Sequence, residues 1–492
     1  MAGAAYAKAP CGLIEGRQHN GVLRFLGIPY AEAPTGQHRF SEPRRRATFQ
    51  GTFQALRFGP SAPQRNVVPK AIAALTGFSG ETSEDCLNLH VFTPDCRGKR
   101  PVLVFFHGGG FFIGSGAQYP GDGLARRGDV VVVTINYRLG LLGFNAFGEL
   151  FAGDERFIAN AGLLDQRLAL EWVRDNIAAF GGDPDRVTIA GESAGSASVG
   201  FHMIAEGSKA LFAQAICQSG TINMFRKKET AREIAQTAFE MLVPDGERER
   251  LFALPPSAFV EIIPALFRRF PGIPTMPYLD GAEIGEEPLP ELFRQAKPVP
   301  LLLGTNRDEF TLFTDLKGFS FSVGLDDLSS WVERQAGRER ATKLSRLYGQ
   351  DKAGATRFGT DILFGASSNR LAEIHSSKAP TFVYRLDWRA KGALSKLGAT
   401  HSVDLPLLFD RFLVPFRSVY LGLLPDPARR RLSLRMQDHW TAFVRSGTPG
   451  RGWPQFEPEA REIKVFDVDD RIERDPDRER RLAWEGVDGL VP

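Results

Sequence analysis

The chain has 492 residues, 43% of them hydrophobic and 24% charged, which excludes an intrinsically disordered or collagen-like protein. A formal net charge of only +3 argues against a nucleic-acid-binding surface. No stretch reaches the ~20 apolar residues needed to cross a bilayer, and the opening residues lack the apolar segment of a signal peptide, so a cytoplasmic protein without a membrane span is expected.

Short continuous apolar runs recur along the chain, as in strands covered on both faces. The first, at residues 101–106 (PVLVFF), leads directly into His107-Gly108-Gly109-Gly110-Phe111. Three successive glycines suit neither helix nor strand. They suit a loop whose backbone N–H groups approach a ligand closely. A second run lies at 129–136 (DVVVVTIN). Residues 160–180 then place Leu164, Leu168, Trp172 and Ile177 near helical spacing, and Gly181-Gly182-Asp183-Pro184 ends that helix.

A third run, 187–190 (VTIA), precedes Gly191-Glu192-Ser193-Ala194-Gly195, and a helical pattern follows at 198–204. Similar runs lie at 300–303 (PLLL) and 381–385 (TFVYR), and residues 225–375 are otherwise mainly helical by pattern. The charged tail at 475–481 (DPDRERR) reads as a solvated helix face. Alternation of this kind predicts an α/β architecture. Cys11, Cys86, Cys96 and Cys217 show no metal-ligand spacing. They read as reduced thiols, with a Cys86–Cys96 bridge as the alternative.

The GxSxG pentapeptide sits where its chemistry requires. A sharp strand-to-helix turn lifts the Ser193 hydroxyl to the top of a sheet, at a helix N-terminus that favours developing negative charge. The N–H groups of Gly109, Gly110 and Ala194 can then surround a tetrahedral oxyanion. A nucleophilic serine needs a base, and the base needs an orienting acid. For the base, His202, His375, His401 and His439 follow Ser193, and many carboxylates could serve as the acid.

At these residues the chain resembles the type-B carboxylesterase family, which includes bacterial para-nitrobenzyl esterases and cholinesterases. The likeness also runs through Gly27-Ile-Pro-Tyr-Ala31, Glu84-Asp-Cys-Leu-Asn-Leu-His-Val91, Asn136-Tyr-Arg-Leu-Gly140, Phe180-Gly-Gly-Asp-Pro184, Gln218-Ser-Gly220 and Trp453-Pro454. It implies an α/β-hydrolase fold: a large, mostly parallel sheet with helices on both faces. Residues 1–492 are expected to form one domain, because Ser193 and the distant acid and base must meet, with 225–375 read from its pattern as a mainly helical insertion or, alternatively, a subdomain. Thr400-His-Ser-Val-Asp-Leu-Pro406 resembles the block that carries the base, so His401 is expected to be the base. Gly304-Thr-Asn-Arg-Asp-Glu-Phe310 resembles the block of the acid, at Glu309 rather than Asp308.

Ser219 resembles a serine that hydrogen-bonds near the acid and base. Glu192 and Gly108 are expected to support the site from beside the serine and within the glycine loop. Arg39 with Glu84, and Arg138 with Asp165, match the family's structural ion pairs. Ser196 stands where the family usually has glycine. No tryptophan lies in residues 67–83, where a cholinesterase would place a platform for a quaternary ammonium, and Phe78 is a weaker substitute.

Phe111, Phe112, Phe310, Phe313, Phe319 and Phe321 read equally as an apolar substrate pocket or as core. The sequence thus predicts a serine carboxylesterase for uncharged, moderately apolar esters, working through an acyl-enzyme. It uses water, no metal and no cofactor, as a monomer or small homo-oligomer. The alternatives are a non-catalytic cholinesterase-like binding protein, or a hydrolase of carbamates, amides or lactones with the same triad.

Overall fold

The computed structural model describes residues 3–65, 80–220, 223–270, 272–315, 325–349, 351–409 and 420–487. Phe78, Phe319 and Phe321 therefore lie outside the described residues. The described strands form one 13-stranded sheet. An antiparallel N-terminal part, β1 (Ala4–Ala9), β2 (Gly12–His19), β3 (Val22–Pro29) and β5 (Asn88–Thr93), leads into the centre, and the short β4 (Thr52–Gln54) pairs with β2.

The centre runs in the order β7 (Val131–Ile135), β6 (Arg100–Phe106), β8 (Gly182–Glu192), β9 (Gln214–Gln218), β10 (Leu301–Asn306), β11 (Thr381–Leu386) and β12 (Glu462–Phe466), with every pair parallel. An antiparallel β13 (Arg471–Arg474) closes the edge. The five predicted strand runs are β6, β7, β8, β10 and β11.

Side chains alternate between two apolar layers, which explains why these strands read as unbroken hydrophobic runs. Val102, Val104 and Phe106 of β6 enter one layer with Ile189 of β8 and Leu303 of β10. Leu103, Phe105, Ala190 and Leu302 enter the other. The first layer is covered by the helices Ala161–Asn176 and Ala194–Ile204, through Trp172, Val173, Ala197 and Phe201. The second is covered by the helix Pro427–Ser446, through Leu432, Met436, Trp440 and Phe443. Gly181 ends the first helical segment at φ 76°, in the left-handed conformation expected of a C-terminal glycine.

Two buried arginines tie loops to this frame. Arg39 makes a bidentate pair with Glu84 at 2.6 and 2.8 Å, and Arg138 grips Asp165 at 2.6 and 2.8 Å. Removing one partner of such a pair strands a buried charge at a cost of about 3–5 kcal/mol. All four cysteines are free thiols.

The charged tail departs from its solvated reading. In the helix Arg478–Trp484, Arg481 pairs with Asp475 at 2.9 Å and Arg480 with Asp361 at 3.2 Å. The indole Nε1 of Trp484 donates to the Tyr348 hydroxyl at 2.7 Å. Ion pairs dock this helix, and its Trp484 is buried in a cluster with Leu344, Tyr348 and Phe358. No helix among the described residues is long and apolar enough to cross a membrane.

Candidate active site

Ser193 follows the last residue of β8 and precedes the helix Ala194–Ile204, with φ 58° and ψ −123°. A non-glycine residue in that conformation is strained, and its neighbours must leave room for the turn. A Cβ on Gly191 would stand 2.3 Å from the Gly195 carbonyl carbon, and one on Gly195 would stand 2.1 Å from the Phe106 carbonyl oxygen. Both flanking glycines of the pentapeptide are therefore required by close approach. The turn is held by Ser193 N–H donating to Gln218 O at 2.9 Å, and the Ser196 hydroxyl donates to Gly220 O.

The glycine loop leaves β6 directly. Gly109 and Gly110 have φ of 104° and 61°. Among the described residues, the N–H groups of Gly109, Gly110 and Ala194 are taken up by no hydrogen bond. Gly108 lies so close to the turn that a Cβ there would meet Glu192 Oε2 at 2.8 Å. His107 stacks on Tyr137, whose hydroxyl donates to the His107 carbonyl at 2.7 Å. Phe111 is fully buried, packs against Phe144 and accepts Gly140 N–H at 2.7 Å, so it belongs to the core and not to a pocket wall. Phe112 is partly exposed beside Phe267.

Residues far apart in the chain meet at His401. Its Nδ1 lies 2.7 Å from Glu309 Oε2, and Glu309 Oε1 accepts Asn306 N–H at 2.7 Å. Asp308 faces elsewhere, accepting Ala399 N–H at 2.8 Å and pairing with Arg307. The Nε2 edge of His401 faces Glu192 Oε1 at 3.3 Å, beside Ser193. Ser193 is 9% exposed, and its hydroxyl makes no hydrogen bond among the described residues. Hydrogen bonds of this kind often tighten only when substrate binds.

Burial disfavours the imidazolium, but Glu192, Glu309 and Asp404 outweigh it and raise His401 to about 9. Burial in turn raises the Glu192 carboxyl to about 8, with His401 and a Ser402 hydrogen bond pulling it back. Asp404 is also raised by burial and by Glu309, while Gln218 and Asn306 donate to it.

The other histidines after Ser193 have structural partners. His202 bonds Ser208 and Gln166, His375 bonds the Val299 carbonyl, and His439 bonds the Pro449 carbonyl. Ser219 departs from its expected role. Its hydroxyl is buried with no partner among the described residues, while its N–H donates to Gly304 O at 2.9 Å. Phe313 lies 5.2 Å from the His401 ring, and Phe364 lies 4.9 Å from it. Phe364 stands on a π-helical turn, Asp361–Gly365, and no motif announces it. Ser402, at φ 64°, likewise carries no sequence signal. A separate cavity of about 610 Å³ lies behind the acid, lined by Asn306, Thr360, Asp361 and Trp484, and does not reach Ser193.

The model of the carboxylesterase family matches residues 4–484. A para-nitrobenzyl esterase of Bacillus subtilis is 34% identical over 96% of both chains. A phenmedipham hydrolase of Pseudarthrobacter oxydans is 33% identical over 92% of both. A solved structure of a PNB esterase superposes with a TM-score of 0.87 at 32% identity, covering 97% of this chain and 99% of its own.

Proposed function

This chain belongs to the carboxylesterase family, has the α/β-hydrolase fold and hydrolyses carboxylic esters; we propose that it does so through Ser193, His401 and Glu309 by way of an acyl-enzyme. The observation that carries the reading is the 2.7 Å bond between His401 Nδ1 and Glu309, with the opposite edge of the ring turned toward the Ser193 turn. Nε2 takes the serine proton as Oγ attacks the ester carbonyl, then delivers it to the leaving alkoxide. Glu309 holds Nδ1–H and with it the tautomer that leaves Nε2 free to accept. Water then enters by the same route and releases the acid.

The N–H groups of Gly109, Gly110 and Ala194 face the developing oxyanion; losing one such donor costs about 10²–10³ in rate. Phe112, Phe313 and Phe364 supply the aromatic wall suited to an uncharged, moderately apolar ester. Ser193→Ala is expected to abolish nitrophenyl-ester hydrolysis and stoichiometric labelling by an organophosphate. An unchanged rate in that variant would sink the assignment.

A further inference from the structure

The loop around His401 contains a residue that the mechanism above does not use. Ser402 adopts φ 64°, a left-handed conformation that L side chains rarely hold. Its hydroxyl donates to Glu192 Oε1 at 2.6 Å. The same oxygen faces His401 Nε2 at 3.3 Å. Glu192 is 2% exposed, with its other oxygen against Gly108. Ser402 is thus a neutral side chain that donates to this carboxylate.

We propose that Ser402 is a positioning residue of the hydrolytic site: its hydroxyl holds the Glu192 carboxyl in place across the Nε2 edge of His401, so that the imidazole stands between two carboxyl groups. The proposal rests on the reading of Ser193, His401 and Glu309 given above.

The neighbourhood shows why a donor is needed. Glu309 and Asp404 face the same imidazole, and Tyr119 and Tyr420 also lie within electrostatic reach of Glu192. A buried carboxylate near two others is driven toward its neutral form. A hydroxyl donor favours the charged form. The two His401 contacts also differ. Glu309 is at 2.7 Å, the length of a charge-assisted hydrogen bond, while Glu192 is held back at 3.3 Å. Glu192 thus stabilises the imidazolium electrostatically, and Nε2 remains available to exchange a proton with Ser193.

The test is the pH profile of kcat/KM on a nitrophenyl ester. Loss of the donor lets Glu192 protonate more readily, so the imidazolium loses stabilisation and the acid limb moves down. Ser402→Ala and Ser402→Gly are both expected to shift it by about one pH unit. In a Glu192→Gln background neither is expected to shift it further. Glycine suits the observed φ, so Ser402→Gly keeps the test open if the alanine variant folds poorly.

An unshifted limb in both variants overturns the proposal, as does an upward shift. A shift with glycine alone would assign the effect to backbone strain, and an additive shift in Glu192→Gln would remove Glu192 from the argument; either overturns it. Failure of the underlying reading is seen separately, as full activity in Ser193→Ala.

Discussion

His401 and His202 are both buried imidazoles near the strand-to-helix elbow at Ser193, and their surroundings drive them in opposite directions. His202 packs on the elbow helix among Phe106, Phe201, Ser208 and Gln166. Burial, helped by the charge of Arg167, lowers it to about 3. His401 pays the same desolvation but faces Glu192, Glu309 and Asp404, and it is raised to about 9. Burial makes a histidine inert unless carboxylates are buried with it. The pair therefore separates a histidine kept neutral from one poised to hold a proton on physical grounds, with no appeal to sequence position.

The comparison breaks first at Glu309. Glu309→Gln keeps the shape but removes the carboxylate charge that faces Nδ1, and kcat is expected to fall about 10⁴-fold. Asp308→Asn, one residue away but turned toward Ala399 and Arg307, should instead cost about 1 kcal/mol of stability and leave kcat near that of the parent. Steady-state kinetics and urea unfolding of the two variants check the contrast; equal losses of kcat would mean that the acid is misassigned.

A smaller effect is expected at Glu192. The base must be neutral to accept the serine proton, so activity rises with pH through the His401 titration. Because that titration is raised, the acid limb of kcat/KM should lie above the ordinary imidazole value of 6.5. Glu192→Gln should bring it down by about one unit or more. A parent limb at or below 6.5 would contradict the two-carboxylate setting.

The smallest effect separates the two histidines by stability. His202 binds no proton in the folded state between about pH 3 and 6.5, whereas the unfolded chain does, so stability falls as pH drops through that window. His401 has the opposite sign. Its contribution is fully present below 6.5 and is lost as pH rises toward about 9. Urea midpoints measured across pH should therefore show a shallower acid-side slope in His202→Gln than in the parent. An unchanged slope would mean that His202 is not buried as a neutral group.

How much of this was legible depends on how local each requirement is. The elbow and the glycine loop could be read directly because their backbone geometry needs glycine at Gly191, Gly195, Gly109 and Gly110. The central strands could be read because a strand covered on both faces leaves a continuous apolar run. The edge strand Ala4–Ala9 carries only alternation and no continuous apolar run, so it is not legible in that way. Phe111 reads like its neighbour Phe112, yet one is core and the other is partly exposed, because the loop turns between them. Phe364 carries no motif at all, and only the tertiary structure brings it to 4.9 Å from the His401 ring.

Family resemblance singles out His401 and Glu309 in the sequence. Residue types and spacing alone left four histidines open. By itself the sequence determined the two-faced sheet, the strained serine turn and the glycine loop, because each is imposed by neighbours a few positions away. The tertiary structure decided which carboxylates surround which imidazole, and that Ser402 donates to Glu192. Those contacts join residues about 90 to 210 positions apart, so their electrostatics exist only once the sheet has brought them together.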